Sequence, residues 1–192
     1  MLEEWLRAVV ETPGLTAIKD LEEARRRLLE DSLRGVEVVR QFGGPIVDVG
    51  SGGGVPGIPL AASLPDREVT LLEATRRKVE FLEQWAQELP NLHVVWGRAE
   101  EQETDRFGVA VAKALAPPVV AMEWCLPLVA SGGAAIVWVG TSVDPATLAS
   151  AAEILGAEPP ESRDGLLVVR KVKPTPKGFP RRTGIARKRP LA

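Results

Sequence analysis

An apolar run that stops beside an acid and opens into a glycine-rich loop, IVDVGSGGGVPGIPLA over residues 46–61, leaves few folds open to this chain. Gly50, Gly52, Gly53, Gly54 and Gly57 crowd into eight positions. The string reads as a short buried strand, then a loop whose backbone can approach a ligand with no Cβ in the way, then a helix start with free amides. The rest of the chain continues that alternation. DLEEARRRLLEDSLRGVEVVRQF has Asp20 as N-cap and Leu21, Ala24, Leu28, Val36 and Val39 near helical spacing. EVTLLEA and LHVVWG read as strands around the helix TRRKVEFLEQWAQEL, with Thr75 as its cap. FGVAVAKA, GGAAIVWVG and GLLVVRKVK are further strands, with PPVVAMEWCLPLVA and DPATLASAAEILG as helices between them. Strands alternating with helices of this length imply right-handed crossovers and an α/β, doubly wound, mostly parallel sheet. At 192 residues and 45% hydrophobic content, one core is expected. A single domain over 1–192 is the expectation: a short N-terminal helical extension (1–43), a Rossmann-like core (44–172) and a basic tail (173–192).

Sheets of this kind bind ligands beyond the carboxyl ends of their strands, where strand order reverses, and the glycine loop falls there. Gly52, Gly54 and Gly57 satisfy a literal G-x-G-x-x-G, but the match starts two residues after Gly50 and runs through Pro56. Asp48 discriminates better. Beside a dinucleotide's pyrophosphate it would add like-charge repulsion of about 1 kcal/mol at about 4 Å even in water. S-adenosylmethionine instead brings two cationic groups and a carboxylate, which suits an acid next to loop amides. The competing reading is that Asp48 only bonds to the loop's own amides. Glu73, 23 residues after Gly50, stands where a carboxylate can hold two ribose hydroxyls, a role shared with nicotinamide-binding proteins, and it can equally be a surface acid starting a helix.

Charge and composition narrow the classes. The formal net charge is −2, yet residues 165–192 carry Arg170, Lys171, Lys173, Lys177, Arg181, Arg182, Arg187, Lys188 and Arg189 and no acid. Such an end is either a polyanion-binding arm or a solvated, poorly ordered terminus. Cys125 and His93 are single, so an internal disulfide and the usual Cys/His zinc clusters are both out of reach, and no metal is expected. Core packing is the simpler role for Cys125, and a packed or half-exposed place for His93. MLEEWLRAVVE has acids where a secretory signal needs basic residues, and no stretch reaches the roughly 18 apolar residues of a membrane span, so a cytoplasmic protein with no membrane partner is expected.

LTAIKDLEEARRRLLEDSL, IVDVGSGGGVPGIPLA, TLLEATRRKVEFL, WGRAEE, AKALAP and FPRRTGIARKRPL, in that order, resemble the glucose-inhibited division B family, GidB, also called RsmG. The resemblance spans nearly the whole chain from Leu15. It implies a class I S-adenosylmethionine-dependent methyltransferase that modifies guanine N7 in the 530 loop of 16S ribosomal RNA, with that RNA or the small ribosomal subunit as partner and a monomer as the working form. Carried across by motif, Gly50 and Val55 would line the methionine and ribose side of the cofactor, with Asp48, Gly52 and Gly54 holding the methionine. Glu73 would hold the ribose, and Ala99 and Glu100 would border the adenine.

Lys113 falls where the family usually has an arginine, and would orient the guanine or the cofactor carboxylate with one point charge in place of a two-pronged fork. Val139 stands at a usual lysine, Leu28 near a usual histidine, and the N-terminal segment is short. These departures favour, as the alternative, a weakened or inactive RNA-binding relative that retains the cofactor fold. Arg98, Arg181, Arg182, Arg187 and Lys188 are the expected RNA contacts, with Arg98 also able to pair with Glu100 or Glu101. Guanine N7 has an in-plane lone pair and no proton to lose, so no general base is required. APPVV, with Ala116 and Val119, lacks the Asn or Asp and the aromatic that flank Pro-Pro in many enzymes acting on exocyclic amines.

Overall fold

A computed structural model describes residues 1–140 and 143–191; Ala192, the last residue of the basic tail, lies outside them. The chain opens with α1 (Leu2–Glu11), α2 (Leu21–Ala24), a π-helical stretch at Arg25–Glu30, α3 (Asp31–Leu33) and α4 (Val36–Val39). The alternating part runs β1 (Ile46–Val49), α5 (Gly57–Ser63), β2 (Val69–Glu73), α6 (Arg76–Ala86), β3 (Leu92–Trp96), β4 (Phe107–Lys113), α7 (Pro118–Cys125) and β5 (Val129–Trp138). It closes with α8 (Ala149–Ile154), β6 (Glu161–Arg163), β7 (Leu166–Arg170) and α9 (Ile185–Lys188).

Among the described residues, seven strands form one sheet in the order β3-β2-β1-β4-β5-β7-β6. β1 to β5 are parallel, and β7 runs antiparallel between β5 and β6, so the α/β, mostly parallel, doubly wound sheet holds. Successive residues of β4 feed opposite faces. Ala110 and Ala112 pack with Val120, Met122 and Ala151 on one side, while Val109 and Val111 pack with Trp5, Ile58 and Leu82 on the other. Helices cover both faces, which is why all four residues of β1 are buried and why the strand reads as a continuous apolar run rather than an alternating one.

Local expectations fare unevenly. Asp20 caps α2 by accepting from Glu23 N at 2.8 Å. Thr75 precedes α6 without a side-chain cap bond; its own N–H is taken by Glu73 Oε1 at 2.7 Å. β5 begins at Val129, three residues before the expected strand, because Pro127 ends the helical run in a single 3-10 turn. β6 is three polar edge residues with no apolar pattern to announce it.

The N-terminal helix and the tail are both tied to the core. Trp5 on α1 is fully buried, and its Nε1 donates to Gly53 O at 2.8 Å, tying the glycine loop to the first helix. Beyond β7, Lys171 is also fully buried, donating to Leu126 O at 2.7 Å and Thr175 Oγ1 at 2.9 Å, while Asp105 accepts from Thr175 N. Further on, Arg181 closes on Glu123 of α7. The basic end therefore folds back over α7 instead of trailing free of the core.

Candidate functional site

Strand order reverses between β1 and β4, and a cavity of about 330 Å³ opens there, at the carboxyl ends of β1 to β4. Of the expected site residues it is lined by Gly50, Glu73, Arg98, Ala99, Glu100 and Arg187. Gly50 has φ +71°, and a Cβ there would lie 2.3 Å from Leu115 Cδ1, so only glycine fits this turn without displacing a cavity-wall side chain. Glu73 is 6% exposed; its Oε2 accepts from Gly52 N at 2.9 Å and its Oε1 from Thr75 N at 2.7 Å. Each oxygen keeps a second lone pair for a hydroxyl donor. Gly52, Gly54 and Val55 lie outside the cavity lining, and Gly52 reaches it only through the bond to Glu73.

Asp48 corrects the sequence reading. It has no exposed surface and does not line the cavity. Its Oδ2 accepts from Gly57 N at 3.0 Å, and a Cβ on Gly57 would lie 2.7 Å from that oxygen, so the first turn of α5 sits directly on the carboxyl. Oδ1 has no partner among the described residues. Burial pushes the Asp48 carboxyl up to about 7 against the opposing Gly57 bond, with the charge of Glu73 adding to the rise. The residue braces the loop from beneath, the competing reading stated above, and its depth sets it back from the cavity wall.

Lys113 is the second correction. It lies outside this cavity and lines a neighbouring one of about 520 Å³ with Arg26, Arg27, Asp31 and Ala114. Its Nζ donates to Arg27 O at 2.7 Å and to the Asp31 carboxylate. Burial lowers the pKa of this ammonium, and Asp31 works against that shift. Ala114, at φ +52°, belongs to the walls of both cavities. Of the two other departures, Leu28 lines the second cavity and Val139 packs on the core.

The third correction concerns the tail. Arg181, expected on RNA, donates Nε to Glu123 Oε1 at 2.6 Å, and Glu123 is 2% exposed. That bond holds the Arg181 guanidinium still more firmly protonated than usual. Arg182 and Lys188 are exposed, as the reading requires, and lie outside the cavity. Arg187 stacks over Trp124, with its guanidinium carbon 5.1 Å from the ring centroid. Gly184 N donates to Glu100 Oε1 at 3.3 Å. Gly184, Trp124 and Leu115 are cavity residues that sequence reasoning missed. The only signal for the first of these was the apolar pair Ile185 and Ala186 inside an otherwise basic run, the mark of a segment that packs.

Cys125 is buried, with its thiol pushed up by that burial, and His93 is exposed beside Glu68. Neither lines the cavity. Among the described residues no group of three His, Cys, Asp or Glu side chains could hold a metal ion. The arrangement offers a glycine-floored cavity with two carboxylates on its walls, which suits a small ligand carrying hydroxyl and cationic groups.

The sequence profile described as GidB, rRNA small subunit methyltransferase G, matches residues 2–155. A ribosomal RNA small subunit methyltransferase G of Synechococcus elongatus is 37% identical over 199 residues, covering 93% of this chain and 82% of the relative. Its counterpart from Clostridium beijerinckii is 34% identical over 211 residues, covering 100% and 87%. Among solved structures, the antibiotic-resistance methyltransferase Kmr matches with a TM-score of 0.57 at 17% identity, over 77% of this chain and 92% of that one. At that identity the likeness concerns the fold alone.

Proposed function

This chain belongs to the rRNA small subunit methyltransferase G family, GidB, and from that membership we propose that it transfers a methyl group from S-adenosylmethionine to guanine N7 in the 530 loop of 16S ribosomal RNA. The observation that carries the reading is the cavity at the strand-order reversal, floored by Gly50 and edged by Glu73. A cradle with no room for a Cβ and a carboxylate with two spare lone pairs fit a ligand that presents a ribose close to the backbone. Glu73 would hold the ribose hydroxyls, Ala99 and Glu100 would border the adenine, and Gly50 would lie against the methionine side. The cofactor supplies an electrophilic methyl group on a cationic sulfur.

What the protein contributes is placement. Guanine N7 carries its lone pair in the ring plane and has no proton to lose, so the chain needs no base, and holding N7 in line with the methyl group accounts for the acceleration. No helix among the described residues is long and apolar enough to cross a membrane. In the same reading the protein works as a cytoplasmic monomer on the small subunit or its RNA.

Calorimetry should show binding of adenosylhomocysteine and none of NAD; the reverse result would restore the nicotinamide reading. Methyl transfer to undermethylated small subunits should then be detected at guanine N7. The second reading, an RNA-binding relative without turnover, is favoured by Lys113 in place of arginine. RNA binding with no methylated product at high enzyme would establish it.

A further inference from the structure

Trp96 ends β3, the strand at one edge of the sheet, and it is 59% exposed. Tryptophan is strongly buried on average, so a ring left largely in water calls for a reason. The ring is nonetheless fixed. Its Nε1 donates to Ala74 O at 3.1 Å, and the Arg76 guanidinium carbon lies 4.9 Å from the ring centroid. Ala74, to which it is bonded, and Gly97, which follows it in the chain, both line the first cavity, so the indole stands on that cavity's rim.

The rim around it is basic. α6 carries Arg76, Arg77 and Lys78 in its first turn with no acid among them, and Arg98 comes two residues after Trp96. Cations at the start of a helix oppose its dipole, a cost that an anionic partner offsets. Arg76 is shared with Glu80 at 3.2 Å and Arg77 donates to Pro13 O at 3.0 Å, so these two brace the scaffold. The surface therefore offers a held aromatic ring in a positive field, the combination that single-stranded nucleic acid binds.

We propose that Trp96 stacks an unpaired base of the substrate RNA, on a nucleotide beside the target and not the target itself. The inference rests on the reading above that the chain acts on RNA, and adds to it a contact made by shape instead of charge. Drawing one base of a strand into a cavity takes a stacking partner away from its neighbour. An indole on the cavity rim replaces that partner. Arg76 over one face of the ring leaves the opposite face for the base. Because Ala74 O and Arg76 already hold the indole, little side-chain freedom is lost when the base arrives. Stacking reads no hydrogen-bonding edge, so the position tolerates any base.

The test measures binding of the full chain to undermethylated small subunits. Trp96→Ala should weaken binding about fivefold to a hundredfold, the range for one base on one aromatic ring. The slope of log K against log salt should not change, since no charge is removed. Adenosylhomocysteine affinity should stay within about twofold of wild type. Trp96→Phe keeps an aromatic face and loses the bond to Ala74 O, and should recover most of the binding. A ring that only pins Ala74 gives the opposite pattern, with W96F as defective as W96A and cofactor affinity lowered in both, and that result overturns the proposal. Subunits reconstituted around RNA with an abasic residue at each unpaired position next to the target, one at a time, complete the experiment. At one position the abasic loss should match that of W96A, and the two together should be no worse than either alone. Wild-type protein that tolerates every abasic replacement overturns the proposal even if W96A proves unfolded, and so do losses that add at every position. A wild-type protein whose binding depends on that base, yet which forms no 7-methylguanine, leaves the stacking contact standing and removes the methyltransferase reading.

Discussion

At the scale of single residues, Asp48 carries a cost that depends on pH. Its folded value of about 7 lies above the roughly 3.9 of an exposed aspartate. The native state therefore binds the proton more tightly than the unfolded chain does. Stability from this source is complete below about pH 4 and is lost as the pH rises toward about 7. Asp48→Asn keeps an acceptor for Gly57 N and abolishes the titration. In urea unfolding, the difference between D48N and wild type should move in favour of D48N by at least about 1 kcal/mol between pH 4 and pH 8. Parallel curves across that range would show that Asp48 is ionised without penalty. The sequence displayed an acid next to glycines but not its depth. Depth follows from helices on both faces of β1, a tertiary fact that four residues of strand cannot encode.

At the scale of elements, the tail shows why a charge run is a poor guide to a surface. The nine basic residues of 165–192 looked uniform in sequence, yet Lys171 and Arg181 are structural while Arg182 and Lys188 face water. Removing Arg181 strands the buried Glu123. Arg181→Met is expected to cost about 3 kcal/mol in unfolding free energy, as breaking a buried ion pair does, and Arg182→Ala to stay within about 0.5 kcal/mol. For RNA binding the order reverses. Arg182→Ala and Lys188→Ala should each reduce the slope of log K against log salt by roughly 1, while cofactor affinity holds. A stable R181M protein with a weaker salt slope would return Arg181 to the RNA. The capped helix at Asp20 and the parallel strands were legible because capping and apolar patterning are local. β6 and α9 were not, since both are short and take their shape from what they pack against.

At the scale of the whole molecule, the sheet and its reversal point were readable from alternation alone, whereas the cavity was only half readable. Its floor comes from the loop after β1, but part of its wall comes from Gly184 and Arg187, more than a hundred residues further on. Filling the cavity should therefore steady the tail. In hydrogen exchange, adenosylhomocysteine is expected to slow the Gly184 amide, already bonded to Glu100, along with amides of the glycine loop; unchanged exchange at Gly184 would uncouple tail and cavity.

The indole of Trp5 on the Gly53 carbonyl has the same character in the other direction. Rigidity at the heart of the protein is lent by its first helical turn, where Trp5 N in turn rests on Met1 O. Crowding around that first turn, from a bulky fusion or a truncation that removes Trp5, would leave circular dichroism looking native while the grip on a small molecule slackens some fifty residues downstream.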